Sequence, residues 1–143
     1  MDAFVDPERQ AFEAFKDLPR GTPIHMLNLV RFRAVARYPT DHPLAEAGIG
    51  GREAYRRYGL ESGPVFARVG GQVIWSGRPE VVLIGPSDEC WHTAFVAAYP
   101  SASAFLEMIT DGEYRLAVVH RQAAVLTSRL IRMSPTEPGS GFA

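Results

Sequence analysis

Cysteine is almost absent from the sequence, which has Cys90 as its only cysteine among 143 residues. A chain with one cysteine forms no internal disulfide and no multi-thiolate metal site, and it is typical of a reducing compartment. No histidine or lysine adjoins Cys90, and Trp91 follows it. We therefore expect a buried, unreactive thiol rather than a nucleophile.

A charge excess of one sign is also lacking, since 15 Lys and Arg residues stand against 16 Asp and Glu residues. Such a chain has no field that attracts a polyanion, so we expect no nucleic acid partner. Apolar runs are only a few residues long, as at residues 94–99, and we expect no membrane partner. The first residues lack the basic start and apolar stretch of a signal peptide, which favours a cytoplasmic location.

What the sequence does have is the composition of a globular domain, with 46% hydrophobic and 22% charged residues. Residues 1–22 are predicted to form an N-terminal helical arm, because Asp6, Pro7 and Glu8 favour a helix start. Residues 23–133 are predicted to form the main domain. Residues 134–143 are rich in Pro, Gly and Ser and are predicted to form a flexible tail.

The hydrophobic periodicity of the main domain predicts the order strand, helix, strand, strand, helix, strand. The predicted strands are residues 23–33, 72–86, 91–99 and 125–133. This order is that of the ferredoxin-like split βαβ fold, an α+β sandwich with an antiparallel sheet. Apolar residues on both faces mark the first and third strands as central, and Pro79 marks the second as a bulged edge strand. We expect the glycine- and proline-rich loop 34–51 to border any pocket.

Two helices cover only one face of a four-stranded sheet, yet the first and third strands carry apolar residues for both faces. A large exposed apolar face usually marks an interface, and a twofold dimer is the commonest arrangement. We therefore predict a homodimer that forms through the sheet face opposite the helices. The alternative is that the N-terminal arm covers this face within one chain.

Short motifs are spread over residues 22–133: Met26-Leu27-Asn28-Leu29-Val30-Arg31-Phe32, Gly70-Gly71 before Trp75-Ser76-Gly77, Ile84-Gly85, Tyr99-Pro100-Ser101 with Phe105 and Met108, and Tyr114 with His120-Arg121. Their combination resembles the bacterial family known as domain of unknown function 1330. The resemblance implies a ferredoxin-like fold and membership of the dimeric α/β-barrel superfamily, but no assigned reaction. Superfamily relatives include cofactor-independent monooxygenases, lactone isomerases and haem-degrading enzymes. Family members often carry Asp after the third-strand Trp, where this chain has His92, so the resemblance implies no acidic role there.

Asn28 and Arg121 are the candidate groups for binding an oxygen atom. Asn28 is the one neutral amide in an apolar central strand, and it needs a hydrogen-bond partner there. It either orients a ligand or bonds a neighbouring loop. Arg121 shares a helix face with Tyr114 and Val118, from which its guanidinium can bind a carboxylate or enolate. The alternative is a structural cation that stabilises the helix C-terminus.

His92 and His120 lie within predicted regular elements, and either can act as a general base near neutral pH. Structural histidines are the alternative. No third ligand lies at His-x-x-x-His or Glu-x-x-His spacing, so we predict no metal site and no bound cofactor. A weaker alternative is haem, because Asn28, Trp75 or Trp91, and His120 as axial ligand are similar to the set in the haem-degrading relatives. The motif of those enzymes is absent.

Five further side chains at core spacing would also line an apolar pocket between the helices and the sheet: Tyr55, Tyr58, Trp75, Phe105 and Met108. Two functions stay open. One is a cofactor-independent enzyme of the oxygenase or isomerase type that acts on a small oxygenated molecule. In that enzyme His92 or His120 moves a proton while Asn28 and Arg121 stabilise an oxyanion. The other is a dimeric small-molecule-binding or structural domain without turnover.

Overall fold

The computed structural model describes residues 2–139 and 141–143. The elements run in the order α1 Arg9–Asp17, β1 Ile24–Phe32, α2 Gly51–Arg68, β2 Gln72–Gly77, β3 Thr93–Tyr99, α3 Ala102–Thr110, α4 Gly112–Ala124 and β4 Val125–Met133. The strands pair antiparallel in the order β2-β3-β1-β4. The α+β ferredoxin-like fold is thereby confirmed, with β1 and β3 in the centre of the sheet.

One face of β1 carries the core, because alternate residues along a strand point to the same side. Ile24, Met26, Val30 and Phe32 are all buried on the side of the helices. Ile24 and Met26 pack in a cluster with Tyr99 and residues of α3, whereas Val30 and Phe32 pack in a second cluster with the end of α4. Asn28 lies on the same face, between the two clusters.

Two local features hold α2 and α4 in place above the sheet. A Cβ atom on Gly51 would lie 2.2 Å from the carbonyl oxygen of Arg33, so only glycine lets the start of α2 approach the end of β1 this closely. At the other end, Asp111 accepts hydrogen bonds from the backbone N–H groups of Glu113 and Tyr114 and also binds Arg68 of α2 at 2.6 Å. These contacts set the position of α4, which carries Arg121.

The N-terminal arm packs on the same side of the sheet as the other helices. The rings of Phe15 and Phe105 lie 5.2 Å apart, and Arg132 of β4 donates to the carbonyl oxygen of Phe15 at 3.1 Å. Helix α1 of the arm therefore does not cover the opposite sheet face. Its helix begins at Arg9 rather than at Pro7, because the Asp6 carboxylate accepts a hydrogen bond from Gln122 instead of capping the helix.

The predicted strand 72–86 is wrong in its second half, since β2 ends at Gly77 and residues 78–92 contain no strand. A bulge between Val73 and Trp75 also shifts the register of β2 against β3. Several apolar side chains of the strandless segment are exposed: Val81, Leu83 and Ile84. Cys90 is exposed too, contrary to the expectation of a buried thiol. None of the described helices is long and apolar enough to cross a membrane.

Candidate functional site

A cavity of about 1110 Å³ lies between the sheet, helices α2 to α4 and the N-terminal arm. Its walls include phenylalanines from the arm, α2, β3 and α3: Phe12, Phe15, Phe66, Phe95 and Phe105. The volume lies just above the usual range for small-molecule sites, which are typically apolar with a few polar groups that orient the ligand.

Six of the residues singled out in the sequence line this cavity: Asn28, Tyr55, Tyr58, Phe105, Met108 and Arg121. Trp75, which was also expected in the pocket, does not line the cavity. The bulge after Val73 adds one residue to β2, so Val73 points into the cavity whereas Trp75 pairs with Val96 on the opposite sheet face. Period-two alternation alone places both side chains on the same face, and a bulge reverses that assignment.

Arg121 is buried, with 9% of its surface exposed, yet none of the described carboxylates forms an ion pair with it. It donates to the carbonyl oxygen of Val5 at 2.5 Å and to Ser128 Oγ at 3.2 Å. These bonds use two of the five N–H groups of a guanidinium. A buried cation without a counter-ion is costly, and an anion in the cavity would neutralise it.

Three tyrosines surround the same part of the cavity. The hydroxyls of Tyr58 and Tyr114 are hydrogen-bonded at 2.9 Å. Burial raises the pKa of Tyr55 and of Tyr114, despite the opposing effect of the nearby Arg121. These phenols therefore stay protonated at neutral pH and act as hydrogen-bond donors rather than bases.

Asn28 lies over the same part of the sheet as Arg121. Its neighbour across the β1–β4 pairing is Leu130, and Ser128, which binds Arg121, is opposite Val30 two residues further along. Asn28 Nδ2 donates to the carbonyl oxygen of Met26 at 3.1 Å. Its Oδ1 accepts no hydrogen bond within residues 2–139 and 141–143 although the side chain is 9% exposed, so one polar atom is left for a ligand.

His92 lies outside the cavity, at the end of the central strands. Its Nδ1 accepts a hydrogen bond from the backbone N–H of Phe32 at 2.9 Å, and its ring stacks on the Phe32 ring. Burial lowers the pKa of His92, and the positive charges of Arg52 and Arg31 lower it further. The histidine thus extends the pairing of β1 and β3 as a neutral ring.

His120 also lies outside the cavity, in a chain of hydrogen bonds between α4 and α2. Its Nε2 lies 2.7 Å from the Glu61 carboxylate, which only accepts, so Nε2 carries the proton in the neutral ring. Nδ1 then accepts the hydroxyl of Tyr38 at 2.6 Å. Tyr38 belongs to the loop 34–51, which we expected to border the pocket. No residue of that loop lines the cavity, and the loop is fastened to the outside of α4 instead.

The sequence reasoning missed the contribution of the arm to the cavity. Phe12 and Phe15 form part of the wall, and the Val5 carbonyl is a partner of Arg121. Helical spacing of apolar residues in the arm is the only signal for this, and such spacing fits any packed helix equally well. The described residues contain no cluster of three His, Cys, Asp or Glu side chains that could hold a metal ion.

The fold places the chain in the class of ferredoxin-like α+β proteins. The chain belongs to the family described as "Domain of unknown function (DUF1330)", whose profile matches residues 43–133. It is 52% identical to the RPA0582 protein of unknown function from Rhodopseudomonas palustris, with a TM-score of 0.87 over 96% of this chain and 100% of that one. The methylated form of RPA0582 is similar to the same extent, with 51% identity and a TM-score of 0.89 over 98% of this chain and 100% of that one.

More distant structures share the fold alone. SnoaB, a cofactor-independent oxygenase from Streptomyces nogalater, is 12% identical with a TM-score of 0.51 over 84% of this chain and 99% of its own. A putative antibiotic biosynthesis monooxygenase from Bacteriodes thetaiotaomicron is 15% identical with a TM-score of 0.52 over 85% of this chain and 97% of its own. None of the curated proteins compared with the chain matches it.

We expect His92 to make the free energy of unfolding depend on pH. Because the folded-state pKa of His92 lies below its unfolded value of about 6.5, its contribution to stability is present above that pH and is lost as the pH falls through the lower folded pKa. His92→Phe keeps a ring against Phe32 but removes the acceptor. We expect it to lower the free energy of unfolding by about 1 kcal/mol at pH 7.5. Urea unfolding between pH 7.5 and 5 should also show a weaker loss of stability on acidification than in the unaltered protein, and an equally steep loss would contradict this role.

Proposed function

We propose that the protein binds a small apolar molecule that carries a carboxylate or an enolate oxygen, in the cavity between the sheet, the helices and the arm. The observation that carries the proposal is the buried guanidinium of Arg121, which lines this cavity and forms no ion pair with any described carboxylate. A carboxylate at this point would form a charge-assisted, forked bond with the guanidinium.

The groups around Arg121 suit an oxygen anion. The protonated phenols of Tyr55 and of the Tyr58–Tyr114 pair can donate to oxygen, and Asn28 has an acceptor atom that can orient a neighbouring hydroxyl. The aromatic walls would surround the apolar body of the ligand, which supplies binding free energy through burial. The two acidic side chains of the cavity wall, Asp6 and Glu8, come from the arm.

A second candidate is catalysis on the same kind of ligand without a bound cofactor, of the oxygenase or isomerase type. Donors that converge on one place stabilise an enolate, which is the intermediate that such reactions share. His92 and His120 are not part of this proposal, because both ring environments lie outside the cavity. For the same reason we do not propose His120 as a haem ligand. A base would have to come from Asp6, Glu8 or the ligand itself.

We also propose that two copies of the chain pair through the sheet face opposite the helices. An apolar row crosses all four strands on that face, from Trp75 through Val96 and Leu27 to Ile131. Trp75 and Ile131 at its ends are 54% and 46% exposed, and helix α1 of the arm lies on the other side of the sheet. A twofold dimer buries two such faces against each other without a second type of partner.

Arg121→Gln tests whether the site recognises the charge of the ligand or only its shape. We expect the affinity for 2-naphthoate to fall roughly 10- to 100-fold, because a hydrogen bond to a charged group contributes about 1.5–3 kcal/mol. The affinity for 2-naphthamide, a neutral molecule of the same shape, should change less than about threefold. Calorimetry with both compounds measures the difference.

The matched control is Arg132→Gln, which also removes a cavity-lining cation that donates to arm carbonyl oxygens. This variant should keep the preference for the acid. Equal losses for acid and amide in Arg121→Gln, or no binding of naphthoate by the unaltered protein, would contradict an anion site at Arg121.

Hydrogen exchange tests the catalytic candidate. If the donors stabilise an enolate, the protein should accelerate the exchange of the C1 protons of 2-tetralone in D₂O, and Arg121→Gln should lose most of that acceleration. Proton NMR follows the signal directly. If the protons exchange no faster with the protein than in buffer alone, the catalytic candidate is wrong and the proposed function is binding without turnover.

Sedimentation at micromolar concentration tests the dimer. We expect the unaltered protein to sediment as a dimer and Ile131→Asp as a monomer, because a carboxylate in an apolar interface loses its hydration. Leu116→Asp is the matched control, since Leu116 is 74% exposed on α4 and lies away from this face. A monomeric unaltered protein would refute the proposed pairing.

A further inference from the structure

Helix α2 has glycine at two positions, four residues apart, where it lines the cavity: Gly59 and Gly63. Glycine in the interior of a helix is destabilising relative to alanine because of its conformational freedom. Pro64 follows within the same helix and lacks a backbone N–H. The cavity wall of α2 is therefore built from residues that weaken the helix.

Packing does not explain these two glycines. A Cβ atom added at Gly59 or at Gly63 would meet no atom within 4 Å, apart from the backbone of the helix itself and the adjoining residues. The situation differs at Gly51 and Gly71, where an added Cβ would lie 2.2 Å from a carbonyl oxygen and 2.3 Å from the Phe66 ring. Gly59 is exposed and Gly63 is half-buried, and both line the cavity.

A second observation shows that the same cavity is suited to a ligand. Asn28 lines it with 9% of its surface exposed, and its Oδ1 has no donor in the described part of the chain. Because Oδ1 is open to the cavity, a hydroxyl or N–H group of a ligand can complete its hydrogen bonding there. The bare helix backbone and the open acceptor thus belong to one site.

We infer that Gly59 and Gly63 are specificity-determining residues, which keep the α2 wall flat so that the apolar body of the ligand packs against the helix backbone. They set the width of the ligand that the cavity admits, and a fused-ring acid fits this wall better than a single-ring acid. The inference rests on the proposed function, since it assumes that an apolar acid binds there. Helix α2 is less stable than it would be with alanine at these two positions, but the absence of side chains leaves space for the ligand.

Side chains added at these glycines should change stability and binding in opposite directions. Gly59→Ala and Gly63→Ala should raise the melting temperature by a few degrees, because alanine favours the helix. Gly63→Leu should fold at least as stably as the unaltered protein and weaken 2-naphthoate binding about tenfold or more. The affinity for benzoate should change much less, because the smaller acid leaves the wall free.

Gly112→Ala serves as the control. Gly112 is the first residue of α4, an added Cβ there also meets no atom within 4 Å, and it does not line the cavity. This variant should keep the affinity for both acids. Calorimetry with benzoate and 2-naphthoate, together with thermal melting, gives all the required values.

The outcomes separate this inference from the proposed function. If Arg121→Gln loses 2-naphthoate while Gly63→Leu and both alanine variants bind it like the unaltered protein, the glycines do not determine specificity and the anion site stands. If benzoate and 2-naphthoate lose affinity equally in Gly63→Leu, the size-selective role is wrong. If the unaltered protein binds neither acid, the proposed function fails and this inference fails with it.

Discussion

The cavity depends on the buried guanidinium of Arg121, which connects three parts of the chain that are distant in sequence. It bonds the arm through the Val5 carbonyl oxygen and β4 through Ser128, while it is itself carried by α4. Neutral oxygen atoms solvate its charge only in part, and no described carboxylate pairs with it. A structural arginine in a protein interior is normally paired, and we propose that a ligand supplies the negative charge here.

The two histidines show how a fold can use residues of catalytic type for structure. His92 accepts a backbone N–H at the end of β1, where the ladder of the sheet would otherwise leave that donor unpaired. His120 joins Tyr38 to Glu61 and so fastens a long loop to α4 and α2. Both rings therefore have a complete structural role. The polar groups that line the cavity are instead the donors around Arg121 and the Asp6 and Glu8 carboxylates of the arm.

The two faces of the sheet carry different sets of side chains. The face toward the helices combines the core with a cavity whose polar lining includes Arg121 and Asn28. The opposite face carries the row of apolar side chains from Trp75 to Ile131. The proposed ligand and the proposed second copy of the chain would thus occupy opposite faces of the same sheet. Gly59 and Gly63 of α2 lower the stability of the helix, and we attribute this cost to the ligand space that they leave.

The sequence by itself determined the order of the elements and the central places of β1 and β3, because hydrophobic periodicity is a local property of the chain. It also placed Arg121 and Tyr114 on one helix face, since helical spacing brings residues seven apart together. Only the tertiary structure decided the rest. The β2 bulge turned Trp75 to the opposite sheet face, and contacts across 82 residues gave His120 its partner Tyr38. Such contacts depend on how distant segments pack in three dimensions, and no local pattern of residue types encodes them.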